Sequence, residues 1–171
     1  APVQGKTLSL FSTMLNPTTQ IFTAYGATEA LPVAIVGSHY LLNDGVQQHT
    51  AIGGGICIGK PVAPLEAKVI RITDEAIAAW SDELEVDMGE IGEIVVKGPN
   101  VTKAYFGRKV ATDLAKIKDG EHFWHRMGDL GYQGKDGLLW FCGRKAHRVR
   151  LEGKECYSVQ CESIFKLNTG T

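Results

Sequence analysis

Apolar residues near the start of the chain recur at helical spacing. Phe11 follows Leu8 by three residues, and Met14 and Leu15 follow Phe11 by three and four. This spacing places apolar side chains on one face of a helix. The pattern therefore predicts a first helix that ends before Pro17.

Three further segments have the patterns of strands. A short apolar run that starts at Ile21 predicts a strand ending near Tyr25. Alternation over residues 66–73 and an apolar run over 91–98 predict two strands that pair as a hairpin across a long connector. Residues 42–55 are polar and rich in glycine, so we expect a surface loop there.

A second hairpin is predicted further along the chain. Residues 111–117 have the pattern of a short helix. After it, two strand-like runs flank Lys135-Asp136-Gly137, and an Asp-Gly pair between such runs is typical of a hairpin turn. These patterns indicate a compact β-rich region within a mixed α/β (α+β) fold.

The character of the sequence changes beyond Gly143. The chain becomes basic and alternating, and helical spacing then returns between Val159 and Leu167. We therefore expect a domain boundary near Gly143, with residues 1–143 in one unit and 144–171 in the next. The second segment is too short to close a hydrophobic core of its own.

Composition excludes several classes of protein. The chain has 171 residues, of which 44% are apolar, which is enough to build one core. Its 18 basic and 19 acidic residues give a formal charge of −1, which argues against a nucleic-acid partner. The longest apolar runs are too short for a transmembrane segment, so we expect a soluble, cytoplasmic protein.

The cysteines indicate neither a zinc site nor a disulfide framework. They lack the close paired spacing of zinc ligands, and nothing in the sequence suggests a secreted protein. We interpret them as reduced thiols. The four residues are Cys57, Cys142, Cys156 and Cys161.

One short string, YGATE, carries candidate chemistry. Taken alone, it has an ordinary structural explanation. Tyr25 would be a core residue at a strand end, Gly26 a turn residue, and Thr28 with Glu29 the cap of a following helix. Short motifs often match by chance, so the string needs support from the rest of the chain.

The rest of the chain supplies that support, because the order of its motifs resembles the adenylate-forming superfamily. This superfamily includes acyl-CoA synthetases, luciferases and the adenylation domains of peptide synthetases. Ala1-Pro2 and the turn over residues 59–64 match two further elements of the family. The matching motifs are Tyr-Gly-x-Thr-Glu at 25–29, Gly-Glu-Ile at 92–94, Arg-x-Gly-Asp at 126–129 and Gly-Arg at 143–144.

The resemblance implies both a fold and a reaction. Residues 1–143 would form the C-terminal part of a large AMP-binding domain with a β-rich, barrel-like region, and 144–171 a hinge and the start of a small lid domain. The family reaction joins ATP and a carboxylate into an acyl-adenylate and pyrophosphate. The implied cofactors are ATP or AMP and Mg²⁺.

The resemblance also implies which residues bind the nucleotide. Ala1 and Pro2 belong to an element beside the nucleotide. Tyr25 would offer a flat face on which adenine stacks, and Gly26 would let the backbone approach the ligand. Thr28 would donate its hydroxyl to an α-phosphate oxygen.

The remaining roles fall on charged residues. Glu29 would supply the hard oxygen ligand that Mg²⁺ prefers, and with Thr28 it forms the implied catalytic pair. Asp129 would accept from the ribose hydroxyls, and Arg144 would donate to ribose or phosphate oxygens. His125 is assigned no catalytic role, because a lone histidine is more often structural.

Two departures from the family pattern narrow the resemblance. Met127 stands where the family usually has Thr or Ser, and Ala146 stands where it usually has the Asp or Lys on which the lid domain pivots. The sequence is similar to ligase-like proteins of long-chain olefin biosynthesis, which close a β-hydroxy acid into a β-lactone. The implied substrate is a fatty or β-hydroxy fatty acid.

Two alternatives remain open. The first is a long-chain fatty acyl-CoA ligase, with CoA as an additional partner. The second is a nucleotide-binding module without catalysis. The phosphate-binding loop and the catalytic lysine of the family have no counterpart here, so we expect a fragment that binds nucleotide weakly and whose main partner is the remainder of the same enzyme chain.

Overall fold

A computed structural model describes residues 2–169, so the predicted role of Ala1 lies outside the described residues. The fold within this range is a mixed α/β arrangement built on one large sheet. The predicted fold class is confirmed. No helix in residues 2–169 is both long and apolar enough to cross a membrane.

Over the described residues, five α-helices and ten strands follow one another along the chain. Short π- and 3₁₀-helical turns occupy Thr50–Gly54, Asp82–Leu84 and Lys145–His147. The elements are α1 (Gly5–Ser12), β1 (Phe22–Ala27), β2 (Ala30–Gly37), α2 (Ser38–Leu41), α3 (Asp44–His49), β3 (Ile56–Pro61), β4 (Glu66–Ile70), β5 (Gly92–Lys97), α4 (Lys109–Ala115), β6 (Lys116–Asp119), β7 (His122–Gln133), β8 (Leu139–Arg144), β9 (Val149–Leu151), β10 (Lys154–Cys156) and α5 (Ser158–Thr169).

The large sheet is antiparallel throughout, with strand order β1-β2-β3-β8-β7-β5-β4 and β6 paired to β7. β7 is its longest strand, and β5 and β8 flank it. The sheet needs glycine at its closest contacts, since a Cβ on Gly131 of β7 would lie 2.3 Å from the Trp140 carbonyl oxygen of β8. This packing fixes the register that brings Asp129 opposite Arg144.

The main hydrophobic core lies beneath β2, β5 and the β7–β8 pair. It includes Met127, whose buried side chain explains why a large apolar residue replaces Thr or Ser at this position. A second core surrounds Trp124 and Ile117, where the Trp80 ring stacks on the Trp124 ring at 4.5 Å. The main core also contains Tyr25, so it lies directly beside the candidate site.

Most predicted elements are confirmed. The first helix occupies Gly5–Ser12, and β4 pairs with β5 across the long connector. The predicted turn joins β7 and β8, where Gly134 N–H donates to the Leu138 carbonyl oxygen at 2.8 Å. The helix predicted over 111–117 begins earlier, at Lys109, and ends at Ala115 because the following residues pair with β7 as β6.

The surface loop predicted over residues 42–55 is wrong. The segment contains α3, whose first turn is capped by Asn43, with Asn43 Oδ1 accepting from Gly45 N–H at 3.0 Å. The helix continues into the π-turn, which contains Gly53 and is followed by Gly55, both with positive φ. Polar residues and glycines here cap and end a helix instead of forming a loop.

The last helix lies against the large sheet. A Cβ on Gly143 of β8 would lie 2.7 Å from Ser158 Oγ at the start of α5. A Cβ on Gly53 would lie 3.0 Å from Ile164 Cδ1 in the same helix. The absence of a side chain at these two glycines thus lets α5 pack closely onto the body of the structure.

Candidate functional site

A cavity of about 520 Å³ opens where the β1–β2 turn, the middle of β7 and the end of β8 meet. Tyr25 and Asp129 are 104 positions apart in the sequence but share this cavity. The structure therefore brings together all the predicted site residues that it describes. They are Pro2, Tyr25, Gly26, Thr28, Glu29, Asp129 and Arg144.

Asp129 is the centre of one wall. Its Oδ2 accepts a hydrogen bond from Tyr25 Oη at 2.6 Å, and Arg144 Nη1 lies 3.2 Å from its Oδ1. The Asp129 side chain is buried, whereas 55% of the Arg144 side chain is exposed. The arrangement follows from the strand register, because Asp129 and Arg144 are direct partners across β7 and β8.

Burial shifts the pKa of both members of the Tyr25–Asp129 pair. It raises the pKa of Tyr25 well above its ordinary value, with the Asp129 charge adding to the effect, so Tyr25 stays a neutral donor. Burial also raises the pKa of Asp129, while the Tyr25 hydrogen bond and the Arg144 charge oppose it. Asp129 Oδ1 is buried and accepts no hydrogen bond from the described residues. Such an oxygen suits a ligand hydroxyl as donor.

The structure requires glycine at position 26, independently of any ligand. A Cβ at this position would lie 2.6 Å from the Ala30 carbonyl oxygen and 2.6 Å from Leu31 Cδ1. The β1–β2 register shifts between Tyr25 and Ala27, which marks a bulge. The glycine is therefore required by the β1–β2 hairpin, and Thr28 with Glu29 forms its turn and not a helix cap.

Glu29 is held by a distant loop. Its Oε1 accepts a hydrogen bond from Tyr105 Oη at 2.8 Å, and its main-chain oxygen accepts from Thr102 N–H at 2.9 Å. The Tyr105 hydrogen bond is the main cause of a lowered Glu29 pKa, and the nearby Lys116 and His125 also lower it. Glu29 is therefore an ionised carboxylate at the cavity wall.

The donor set at Glu29 fits Mg²⁺ shared with a phosphate ligand. Oε1 accepts from Tyr105, and among the described residues no other side chain donates a hydrogen bond to this carboxylate. In the described part of the chain, no group of three or more His, Cys, Asp and Glu side chains could hold a metal by itself. Mg²⁺ commonly takes one or two carboxylates and completes its shell with phosphates and water.

Three residues near Glu29 received no role from the sequence, because Tyr105 and Lys116 belong to no matching motif and a lone histidine such as His125 is more often structural. Burial and the Lys116 charge lower the pKa of His125 to about 4, and its Nδ1 lies 3.2 Å from the Ala115 carbonyl oxygen. Burial lowers the pKa of Lys116 to about 8. Burial and the Glu29 hydrogen bond raise the pKa of Tyr105 to about 12, so it stays a neutral donor.

Of these three residues, only His125 could have been linked to the site by a local sequence pattern. His125 lies four residues before Asp129 on the same strand, and alternation places both on one face of β7. Tyr105 is 76 residues from Glu29, in a segment without regular structure. The sequence carries no pattern that pairs these two residues.

The hinge position lies between two ionic contacts. Ala146 belongs to the 3₁₀ turn after β8. On one side, Lys145 Nζ lies 3.0 Å from the buried carboxylate of Glu93; on the other, Arg148 Nη2 lies 2.5 Å from Asp74 Oδ2. Ala146 itself offers no charge at the position where a pivot residue is expected.

Comparison with known proteins identifies relatives of one kind. The family model described as AMP-binding enzyme matches residues 1–106. An olefin β-lactone synthetase of Xanthomonas campestris is 43% identical over 173 residues, covering 98% of this chain and 31% of that protein. A long-chain-fatty-acid–CoA ligase of Salmonella typhimurium is 33% identical over 146 residues, covering 85% of this chain and 22% of that protein.

Solved structures agree with the sequence relatives. The o-succinylbenzoate CoA synthetase of Bacillus subtilis, bound to an acyl-adenylate intermediate, superposes with a TM-score of 0.70 at 26% identity. The match covers 97% of this chain and 29% of that one. The same enzyme with ATP and a magnesium ion gives a TM-score of 0.68 at 25% identity, over 96% and 29% of the two chains. The present chain thus spans about a third of its relatives' length.

Proposed function

Because this chain belongs to the family of AMP-binding enzymes, we propose that it forms one wall of the nucleotide site in an ATP-dependent acid ligase. The observation that carries the proposal is the convergence of Tyr25, Glu29, Asp129 and Arg144 on one cavity. The solved relative that binds ATP and magnesium supports ATP or AMP and Mg²⁺ as the ligands.

Each side chain of this wall contacts a different part of the nucleotide. Asp129 accepts from the ribose hydroxyls with Oδ1, which accepts no hydrogen bond from the described residues, and Tyr25 holds the other carboxylate oxygen in place while its ring faces the base. The exposed Arg144 guanidinium donates to ribose or phosphate oxygens. Thr28 donates its hydroxyl to an α-phosphate oxygen.

Glu29 holds the metal through its ionised carboxylate. Mg²⁺, when bound, neutralises phosphate charge that otherwise repels the incoming carboxylate. Thr28 adds a fixed donor beside it, and fixed donors stabilise developing charge without having to reorganise. Thr28 and Glu29 therefore act together in adenylation.

The acid substrate is a fatty or β-hydroxy fatty acid, and from the β-hydroxy acid the product is a β-lactone. The β-hydroxyl oxygen attacks the acyl carbon of the adenylate, the bond to phosphate oxygen breaks, and AMP leaves as the hydroxyl proton is released. The 43% identity to an olefin β-lactone synthetase favours this product. The chain is also similar to a fatty acyl-CoA ligase, at lower identity. That similarity supports the alternative, in which the sulfur of CoA attacks the acyl carbon instead.

The proposal also covers the domain boundary, the partner and the location of the chain. We place a domain boundary near Gly143, with residues 1–143 in the large domain and 144–171 in the hinge and the start of the lid. The remainder of the same enzyme chain is its main partner, in line with the length of its relatives. A cytoplasmic location fits an ATP-consuming enzyme whose four cysteines are free.

The first test identifies the product. A reading frame that extends beyond this chain is expressed and given ATP and a long-chain β-hydroxy acid, with and without CoA. We expect mass spectrometry to find AMP and a product one water lighter than the acid, without any need for CoA. A thioester as the sole product would remove the lactone assignment.

The same assay tests Glu29. Glu29→Ala should reduce adenylation at least tenfold, because removing a charged ligand leaves the metal poorly held. Glu121→Ala, in the exposed β6–β7 turn, is the matched control and should keep full activity. Full adenylation by Glu29→Ala would rule out its metal role.

A further inference from the structure

The loop between β5 and α4, residues 98–108, donates two hydrogen bonds to Glu29. Thr102 N–H donates to the Glu29 main-chain oxygen at 2.9 Å, and Tyr105 Oη donates to Glu29 Oε1 at 2.8 Å. The first contact fixes the backbone of the β1–β2 turn. The second fixes the direction of the carboxylate.

The loop is itself anchored to the body of the structure. Tyr105 N–H donates to Thr112 Oγ1 of α4 at 3.0 Å. Lys116 Nζ, at the start of β6, donates to Thr102 Oγ1 at 3.2 Å, and the Lys116 side chain is buried. Tyr105 therefore reaches Glu29 from a fixed base.

The chemistry of the contact suits a metal ligand. A phenol donates one hydrogen bond and leaves the charge on the carboxylate, whereas a Lys or Arg partner would compete with a cation for it. Tyr105 occupies Oε1, and among the described residues it is the one side chain that donates a hydrogen bond to this carboxylate. Tyr105 also lines the cavity, so the pair lies where phosphates would enter.

We propose that Tyr105 is a positioning residue that holds the Glu29 carboxylate so that its second oxygen faces the nucleotide-bound Mg²⁺. The inference rests on the proposed metal role of Glu29. Hydrogen-bond partners behind a metal ligand typically change metal affinity by about 10- to 100-fold. The benefit of Tyr105 should therefore be seen only when the metal is present.

The test separates metal-dependent from metal-independent binding. ATP is titrated into the 171-residue chain by ligand-detected NMR, which measures millimolar affinities, once in excess Mg²⁺ and once in a chelator. We expect Tyr105→Phe to weaken ATP binding about tenfold in Mg²⁺ and to leave binding in chelator unchanged. A role in folding alone would change both affinities or neither.

A matched control removes a tyrosine hydroxyl elsewhere. Tyr132 Oη donates to the Gly54 carbonyl oxygen at 2.7 Å, outside the cavity. Tyr132→Phe should leave ATP binding unchanged in both buffers. Thermal unfolding of both variants checks that each folds as the parent chain does.

Glu29→Gln separates the positioning role of Tyr105 from the metal role of Glu29. If it abolishes the Mg²⁺ dependence while Tyr105→Phe keeps it in full, the positioning role of Tyr105 is wrong and the metal role of Glu29 stands. If the parent chain and Glu29→Gln show the same Mg²⁺ dependence, the metal role itself is wrong and the inference is overturned with it.

Discussion

At the scale of single residues, burial decides the chemistry of the side chains around the cavity. It disfavours the charged form of any group, so it raises the pKa of Asp129 and lowers the pKa of His125. Glu29 is more exposed, and there the Tyr105 hydrogen bond outweighs burial and lowers the pKa. Two carboxylates that look alike in the sequence thus have pKa values shifted in opposite directions, because they differ in depth and in partners.

His125 makes stability depend on pH. Its folded pKa of about 4 lies below its ordinary value of 6.5, so the unfolded chain binds more protons between these two values. His125 should therefore cost the fold roughly 1.5 kcal/mol as the pH falls from 6.5 to 5. Urea unfolding in metal-free buffer at both pH values measures this loss.

Two variants make the His125 prediction specific. His125→Gln should show a smaller loss of stability between the two pH values, because glutamine does not titrate. His39→Gln, at an exposed histidine of α2, should lose as much as the parent chain. Equal losses in all three proteins would contradict the prediction.

At the scale of elements, a buried ion network joins the strands that carry the site. Glu93 of β5 is fully buried, and its Oε2 accepts from Arg126 Nη2 of β7 at 2.6 Å. Lys145, just after β8, also contacts this carboxylate. Arg126 further donates to carbonyl oxygens of Thr73, Glu75 and Leu114, which ties the long connector and α4 to the sheet.

Removing the centre of this network should be costly. Glu93→Ala leaves the Arg126 and Lys145 charges without their carboxylate in a buried place, which typically costs about 3–5 kcal/mol. Lys109→Ala is the control, since it breaks an exposed ion pair with Asp113 and should cost less than about 0.5 kcal/mol. Urea unfolding of both variants makes the comparison; equal costs would mean that the network contributes little.

At the scale of the whole molecule, the proposed function gives this chain one wall of a nucleotide site. Relatives that adenylate or ligate acids are about three times as long. Arg144 lines the cavity, and 55% of its side chain faces solvent. A ligand held from one side retains much of its contact with water, which limits its affinity.

We therefore expect the 171 residues by themselves to bind ATP weakly, in the millimolar range typical of few contacts, and not to catalyse ATP–pyrophosphate exchange. Calorimetry and an isotope-exchange assay measure the two properties. Rapid exchange by this chain, or tight Mg²⁺-dependent binding, would instead support a self-sufficient module.

The local patterns of the sequence determined most of the fold. The β7–β8 hairpin follows from two apolar runs around an Asp-Gly turn, and α1 follows from its helical spacing, because both depend on neighbours in the chain. The region 42–55 was misjudged because glycine marks helix ends as well as loops.

The sequence by itself also determined which residues are candidates for the site, because they lie in motifs that occur in the same order as in the family. Only the tertiary structure decided how they are held. Tyr105 meets Glu29 across 76 residues, and Tyr25 meets Asp129 across 104. Such contacts, and the pKa values that burial sets, arise from the packing of distant segments, which no local pattern encodes.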